Sequence, residues 1–269
     1  MDRDLLERLA LALERLSPVA RVPVDQGAAA YVWRDDTLHV ARFAPLPLAL
    51  LTGIDAQRDA VLENGRRLAK GHAAHDILLW GARGGGKSAL VKSSIGALQD
   101  EGLDVALVEV GASDLDSLPA VFAMLENWTR STIVFVDDLA FEGGTDAARS
   151  LRSMLEGGAS GRPANVRLYV TSNRRHIVAR DMAEQDSAIN VRDVVDDRLA
   201  LADRFGLSLG FHACDQGTYL AMVSRYAESF DLPFDEGNAL KWATQRGARS
   251  GRVAWHYTID VAGRTGRKL

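Results

Sequence analysis

Gly81-Ala82-Arg83-Gly84-Gly85-Gly86-Lys87-Ser88 fits the pattern G-x-x-x-x-G-K-S/T, and each position has a physical reason. Glycines let the backbone turn back on itself and come close to a ligand. The amide N–H groups then converge on phosphate oxygens, and the helix that starts near Lys87 adds its positive end. Lys87 is expected to reach the β- and γ-phosphates and Ser88 to ligate Mg²⁺. Gly81, Arg83, Gly84, Gly85, Gly86 and Ala89 complete the expected nucleotide-binding set. A flexible structural turn has a similar composition, so the context decides. Asp76-Ile77-Leu78-Leu79-Trp80 in front reads as a short apolar strand. Ser88 to Gln99 behind carries Leu90, Val91, Ile95 and Leu98 at helical spacing. Strand, glycine loop and helix follow in the order a phosphate-binding loop requires.

Outward from this loop, residues 51 to 211 alternate short apolar runs with amphipathic stretches. The runs are Ile77–Trp80, Val105–Val110, Thr132–Val136, Val166–Thr171 and Leu207–Phe211. Such alternation predicts an α/β fold, a P-loop NTPase with a parallel five-stranded sheet flanked by helices. Residues 212 to 269 read as helices only, a small all-helical unit. Asp215 is placed to cap a helix with Leu220, Val223, Tyr226 and Phe230 on one side, and Pro233 and Gly237 are expected to break it. Residues 1 to 50 read as an N-terminal extension. There Leu5, Leu6, Leu9, Leu13 and Leu16 form a helical stripe, and Tyr31-Val32-Trp33 and Leu38-His39-Val40 flank a hairpin turn. The stripe suits packing on its own domain or docking of a partner.

Thr132-Ile133-Val134-Phe135-Val136-Asp137-Asp138 carries the second chemical signal. Carboxylates at the carboxyl end of a buried α/β strand point into the ligand crevice. Asp137 fits the acid that holds Mg²⁺, and Asp138 is placed to polarise the attacking water. Alone, two such acids also suit a turn or a helix cap; the upstream phosphate loop favours the functional reading.

These words, in their order, resemble the AAA+ ATPases. Gly81–Ser88, Val136-Asp137-Asp138-Leu139, Leu155-Glu156-Gly157-Gly158, Thr171-Ser172-Asn173-Arg174-Arg175-His176, Asp203-Arg204-Phe205-Gly206 and Ser250-Gly251-Arg252 resemble, more narrowly, a bacterial ATP-binding family, domain of unknown function 815. The resemblance implies that Asn173 is the polar residue called sensor 1, holding the attacking water or the γ-phosphate. It implies that Arg204 is the arginine finger offered to a neighbour's ATP, for which a planar, permanently charged guanidinium is suited. It implies that Arg252 is sensor 2, reaching from a helical lid. The residues themselves also allow Asn173 as a cap, Arg204 as an ion pair with Asp203, and Arg249 in place of Arg252. AAA+ enzymes usually follow the metal-binding acid with Glu. Asp138 is shorter by one methylene, which sets its carboxylate about 1–1.5 Å farther from the water. Glu142, four residues on, compensates if the loop folds back, and the shorter acid otherwise suits a slow, switch-like ATPase.

Composition narrows the classes. The chain has 269 residues, 47% of them hydrophobic, and a formal net charge of −4, so no global attraction draws it to nucleic acid or to an anionic membrane. Its single cysteine, Cys214, excludes an intrachain disulfide and a cysteine-based zinc site. No stretch reads as a signal peptide or a membrane span, so a cytoplasmic setting is expected. Three classes of function remain: a hydrolysing AAA+ machine acting on a protein or nucleic-acid client, an ATP-gated switch with little turnover, and a small-molecule kinase or GTPase. The last is weakest, because no Asn-Lys-x-Asp guanine-reading word is present. A threading unfoldase is disfavoured because Gly111-Ala112-Ser113-Asp114 stands where an aromatic-apolar pair is expected. The resemblance further implies ATP and Mg²⁺ as ligands and a homo-oligomeric ring or filament. Residues 246 to 269 hold six basic residues and one acid, which suits a solvated end or a partner surface.

Overall fold

The computed structural model describes residues 25–139, 151, 155, 162–173 and 203–269. The leucine stripe at 5–16, Glu142 and the segments 156–158 and 174–176 lie outside the described residues. The elements run β1 (Ala30–Arg34), β2 (Thr37–Val40), α1 (Asp55–Ala69), β3 (Ile77–Gly81), α2 (Lys87–Asp100), β4 (Val105–Val110), α3 (Leu118–Leu125), β5 (Ser131–Val136), β6 (Val166–Ser172), β7 (Leu207–Phe211), α4 (Gln216–Ser229), α5 (Glu236–Gln245) and α6 (Gly251–Arg264).

The five expected strands are all present and run parallel, but the sheet has seven strands in the order β2-β1-β4-β5-β6-β3-β7. The expected five are therefore corrected to seven, and the hairpin accounts for the difference. Asp35 and Asp36 both take positive φ, 51° and 54°, and Arg34 faces Thr37 across a two-residue loop. Two positive φ values match the right-handed strand twist, and Asp tolerates them. The paired strands then add to the free edge of β4, with Ala30 opposite Leu107 in parallel. Tyr31 becomes fully buried and packs edge-on against Trp128, with ring centroids 5.1 Å apart. The edge passes to β2, where Val40 is 58% exposed.

Each face of the sheet carries its own core, as alternation along a strand demands. Leu78, Val108, Val134 and Val170 join Leu118, Val121 and Leu125 of α3 on one face. Ile77, Leu79, Ile133, Phe135 and Tyr169 join Val61 of α1 and Leu90, Ile95 and Leu98 of α2 on the other. Two buried polar groups here tie neighbouring elements together. Asp76, just ahead of β3, accepts from the Leu168 amide at 2.8 Å and pairs with Arg162, tying β3 to β6. The Tyr169 hydroxyl accepts from Asn64 Nδ2 at 3.0 Å, and burial pushes its pKa well up.

Helices α4 to α6 enclose a separate core of Tyr219, Met222, Val223, Tyr226, Ala239, Val253 and Tyr257. Each begins at a side-chain cap: Asp215 accepts from the Thr218 amide at 2.7 Å, Asp235 from Asn238 at 2.6 Å and Ser250 from Val253 at 3.3 Å. Caps of this kind contribute about 1 kcal/mol each. Pro233 lies in the expected break, but Gly237 does not; it falls in the first turn of α5, because Asp235 starts the helix ahead of it. Leu50, from the segment before α1, is buried in this lid core, whereas Leu51 and Ile54 are buried in the sheet core. One short segment thus packs into both the sheet core and the core of α4 to α6.

Candidate functional site

The glycine loop leaves β3 at Gly81, whose φ is 125°. A Cβ there would lie 2.1 Å from the Phe211 carbonyl oxygen of β7, so the close approach of the two strands requires glycine. The chain then turns into α2, which begins at Lys87. Lys87 is only 5% exposed, and its Nζ donates to the carbonyls of Gly81 at 3.0 Å and Ala82 at 2.9 Å and to Asn173 Oδ1 at 2.9 Å. Burial lowers its pKa, the nearby Arg252 lowers it further, and Asp138 and Asp137 oppose the shift.

The acids lie across the loop. Ser88 Oγ donates to Asp137 Oδ1 at 2.6 Å, bringing two hard oxygen donors together at the start of α2. Mg²⁺ favours one or two such protein ligands, completed by waters and phosphate oxygens, so these residues fit it. Asp138 follows with φ 55°. Its carboxylate accepts from Asn173 Nδ2. Asn173 therefore spans Lys87 and Asp138 with the two ends of one amide.

These groups face a cleft of about 360 Å³. Its lining combines Arg83 through Ala89, Asp137, Asp138 and Asn173 with the apolar or aromatic Leu46, Leu51, Ile54, Met222, Tyr226 and Trp255. Thr52, whose hydroxyl is buried and unpaired among the described residues, also lines it. Charged groups and apolar surface in one cleft fit a nucleotide, whose phosphates need the first and whose base needs the second. The lid seats directly on the loop: a Cβ on Gly84 would meet Ser250 Oγ at 2.8 Å.

The structure brings Arg83 to Ala89, Asp137, Asp138 and Asn173 round one cleft, and the Gly81 carbonyl accepts from Lys87 behind it. Arg252, on the first turn of α6, lines the cleft. Arg249 is exposed and outside it. Arg204 is not brought to this cleft. It precedes β7, at the end of the sheet opposite the loop that follows β3, a strand's length or about 16 Å away. Arg204 is half-buried and engaged in interactions of its own. Of the six basic residues after 245, Arg246 stacks on Trp242 at 3.4 Å, Arg264 pairs with Asp260 at 2.7 Å and Arg267 with Asp231 at 2.5 Å. Two of the six are thus paired with acids.

Sequence reasoning missed the apolar lining of the cleft, whose residues are scattered over 46–54 and 222–256. It also missed Thr171, which contacts both acids. The available signal was a threonine near the carboxyl end of a strand, two positions before Asn173.

Among the described residues, no helix is long and apolar enough to cross a membrane. No curated protein sequence matches the chain. Solved structures do. RuvB of Thermotoga maritima, a Holliday junction branch migration motor, superposes with a TM-score of 0.52 at 17% identity, over 83% of this chain and 67% of its own. Orc1 of Aeropyrum pernix, solved in complex with DNA, gives 0.54 at 14% identity, over 81% and 65%. Domain III of the replication initiation protein DnaA of Thermotoga maritima gives 0.53 at 14% identity, over 85% and 94%. At these identities the likeness shows the fold alone, one shared with RuvB, Orc1 and DnaA domain III. A sequence match extends over residues 26–265, and by it the chain belongs to the family described as "Protein of unknown function (DUF815)".

Proposed function

We propose that this chain binds Mg-ATP in the cleft and hydrolyses it at a subunit interface, as an AAA+ type ATPase that remodels or loads a macromolecular client. The observation that carries this reading is the convergence of Lys87, Ser88, Asp137, Asp138 and Asn173 on one glycine loop under a lid. Ser88 and Asp137 would hold Mg²⁺, which would supply positive charge against the charge that develops on the phosphates. Lys87 exchanges its loop carbonyls for phosphate oxygens, and Asn173 then turns its freed carbonyl oxygen to the attacking water. Asp138 polarises that water. Arg252 reaches the γ-phosphate from the lid.

Arg204 is the trans element of this reading. Its position at the far end of the sheet is consistent with a finger for a neighbour's site and not for its own. A ring or helical filament formed with ATP follows, and the client is a protein or nucleic acid. A second reading, a slow or non-hydrolysing ATP-gated switch, is favoured by one observation: the short Asp138 carboxylate is tied up by Asn173.

Mixing tests the trans reading. Arg204→Ala keeps the loop and Lys87→Ala keeps the finger, so each alone is inactive and the mixture regains part of the ATPase activity. A monomer that hydrolyses ATP at a rate independent of protein concentration contradicts it. Binding of ATP without turnover, in the wild type at any concentration, selects the switch.

A further inference from the structure

Both acids hang on a single hydroxyl. Thr171, near the end of β6, is 1% exposed and lies opposite Leu79 of β3. It stands one residue past the last rung between β5 and β6, Val136 opposite Val170. Its Oγ1 donates to Asp137 Oδ1 at 2.5 Å, the oxygen that also accepts from Ser88. The same Oγ1 accepts from the Asp138 amide at 2.8 Å. The Thr171 carbonyl accepts from the Leu139 amide at 2.8 Å. One residue therefore grips three successive positions of the turn after β5, and two of the three bonds are made by the side chain.

The grip matters because the turn takes an uncommon backbone. Asp138 sits at φ 55°, a left-handed conformation that few non-glycine residues adopt and that Asp tolerates. The Asp138 amide has the Thr171 hydroxyl as its anchor there. Asp137 needs a fixed rotamer to share its Oδ1 with Ser88, and the hydroxyl supplies the second donor that fixes it. The neighbouring Ser172 provides a contrast. Its hydroxyl is equally buried but has no partner among the described residues.

We propose that Thr171 is a positioning residue for the metal and for the reaction: its hydroxyl sets the Asp137 carboxylate against Ser88 and holds the Asp138 backbone in the turn that aims its carboxylate into the cleft. This rests on the reading of the cleft as a Mg-nucleotide site. A merely structural threonine would act through shape and burial, which valine reproduces. The backbone bond to Leu139 survives any substitution, so the strand end itself stays held.

The test compares Thr171→Val, Thr171→Ser and Ser172→Ala with the wild type. Mg²⁺ is titrated at a fixed concentration of a fluorescent ATP analogue, analogue affinity is measured separately in EDTA, and turnover is measured at saturating Mg-ATP. Groups that orient a metal ligand typically contribute 10–100-fold in metal affinity or activity. Thr171→Val should raise the Mg²⁺ midpoint by about tenfold or more, with metal-free affinity within about threefold of wild type. Turnover, where the wild type shows it, should fall by a similar factor. Thr171→Ser should restore both readings, and Ser172→Ala should leave them unchanged. Thr171→Val with a wild-type Mg²⁺ midpoint overturns the proposal, as does Thr171→Ser proving as defective as Thr171→Val. If Thr171→Val does not fold by its thermal transition, Thr171→Ala against Thr171→Ser gives the same comparison. A wild type that binds no nucleotide overturns the cleft reading itself, and the proposal with it.

Discussion

Gly84→Ala tests how tightly the lid is coupled to the glycine loop. Gly84 has φ 75°, where an L side chain is strained, and an added Cβ would meet Ser250 Oγ at 2.8 Å and Ser250 Cβ at 3.0 Å. Ser250 is the cap of α6, so the push falls on the helix that carries Arg252. The left-handed backbone costs about 1–2 kcal/mol. Forcing a methyl into the packed contact costs about 1–3 kcal/mol more. Gly71→Ala provides the control, because Gly71 has φ 71° and a Cβ there would have nothing within 4 Å. It should lose only the backbone part, about 1–2 kcal/mol, and leave nucleotide affinity unchanged. Gly84→Ala should lose the sum, about 2–5 kcal/mol, lowering the thermal midpoint by several degrees more than Gly71→Ala. Its Mg-ATP affinity should drop about tenfold, since the lid no longer closes on the loop. Thermal denaturation and calorimetric titration measure both effects. Equal destabilisation by the two alanines, with wild-type affinity in Gly84→Ala, would refute the seating of the lid on the loop.

The two acids should separate on mutation. Asp137→Asn weakens Mg²⁺-dependent binding, seen in a metal titration, whereas Asp138→Asn leaves binding nearly intact and lowers turnover at saturating ATP, because it acts mainly in the transition state. Should Asp138→Asn stay active while Glu142→Gln does not, Glu142 is the residue that polarises the water. The pH dependence follows from Lys87. Its pKa in the folded, nucleotide-free protein is lowered, chiefly by burial. Between that value and the ordinary lysine value of about 10.4, the folded chain binds fewer protons than the unfolded one, so stability without nucleotide rises with pH. Phosphate needs the ammonium, so affinity for ATP should fall over the same window, with proton uptake on binding. Calorimetry in buffers of different ionisation enthalpy reads that uptake, which should vanish in Lys87→Ala; an affinity flat across the window contradicts the burial argument.

The five parallel strands, the glycine loop and the acid pair were legible because their signals are local. A buried strand is an apolar run, and the loop's chemistry lies within eight consecutive residues. The hairpin was legible as a hairpin, but not its place in the sheet. Alternation marks Tyr31 and Trp33 as strand residues without naming β4, more than seventy positions away, as the partner. Gly237 misled because glycine reads as punctuation, while the cap at Asp235 had already started α5. The apolar lining of the cleft was hidden for a similar reason: Leu51, Met222 and Trp255 are ordinary core residues in sequence, and only the fold brings them round one cavity. The shortness of Asp138 was visible in the sequence; its left-handed backbone and its bond to Asn173 were not.

Nucleotide binding at the loop is the claim on which the rest depends, and calorimetric titration of Mg-ATP into the wild type and Lys87→Ala measures it. Lys87 is buried with three acceptors at 2.9–3.0 Å, a geometry that lets it transfer to phosphate without leaving the loop. Charge-assisted contacts of this kind are worth ~2–4 kcal/mol when removed. The wild type should bind Mg-ATP, and Lys87→Ala should bind it at least about tenfold more weakly while keeping a cooperative thermal transition. Equal affinity in the two proteins, or no binding in either, contradicts the account.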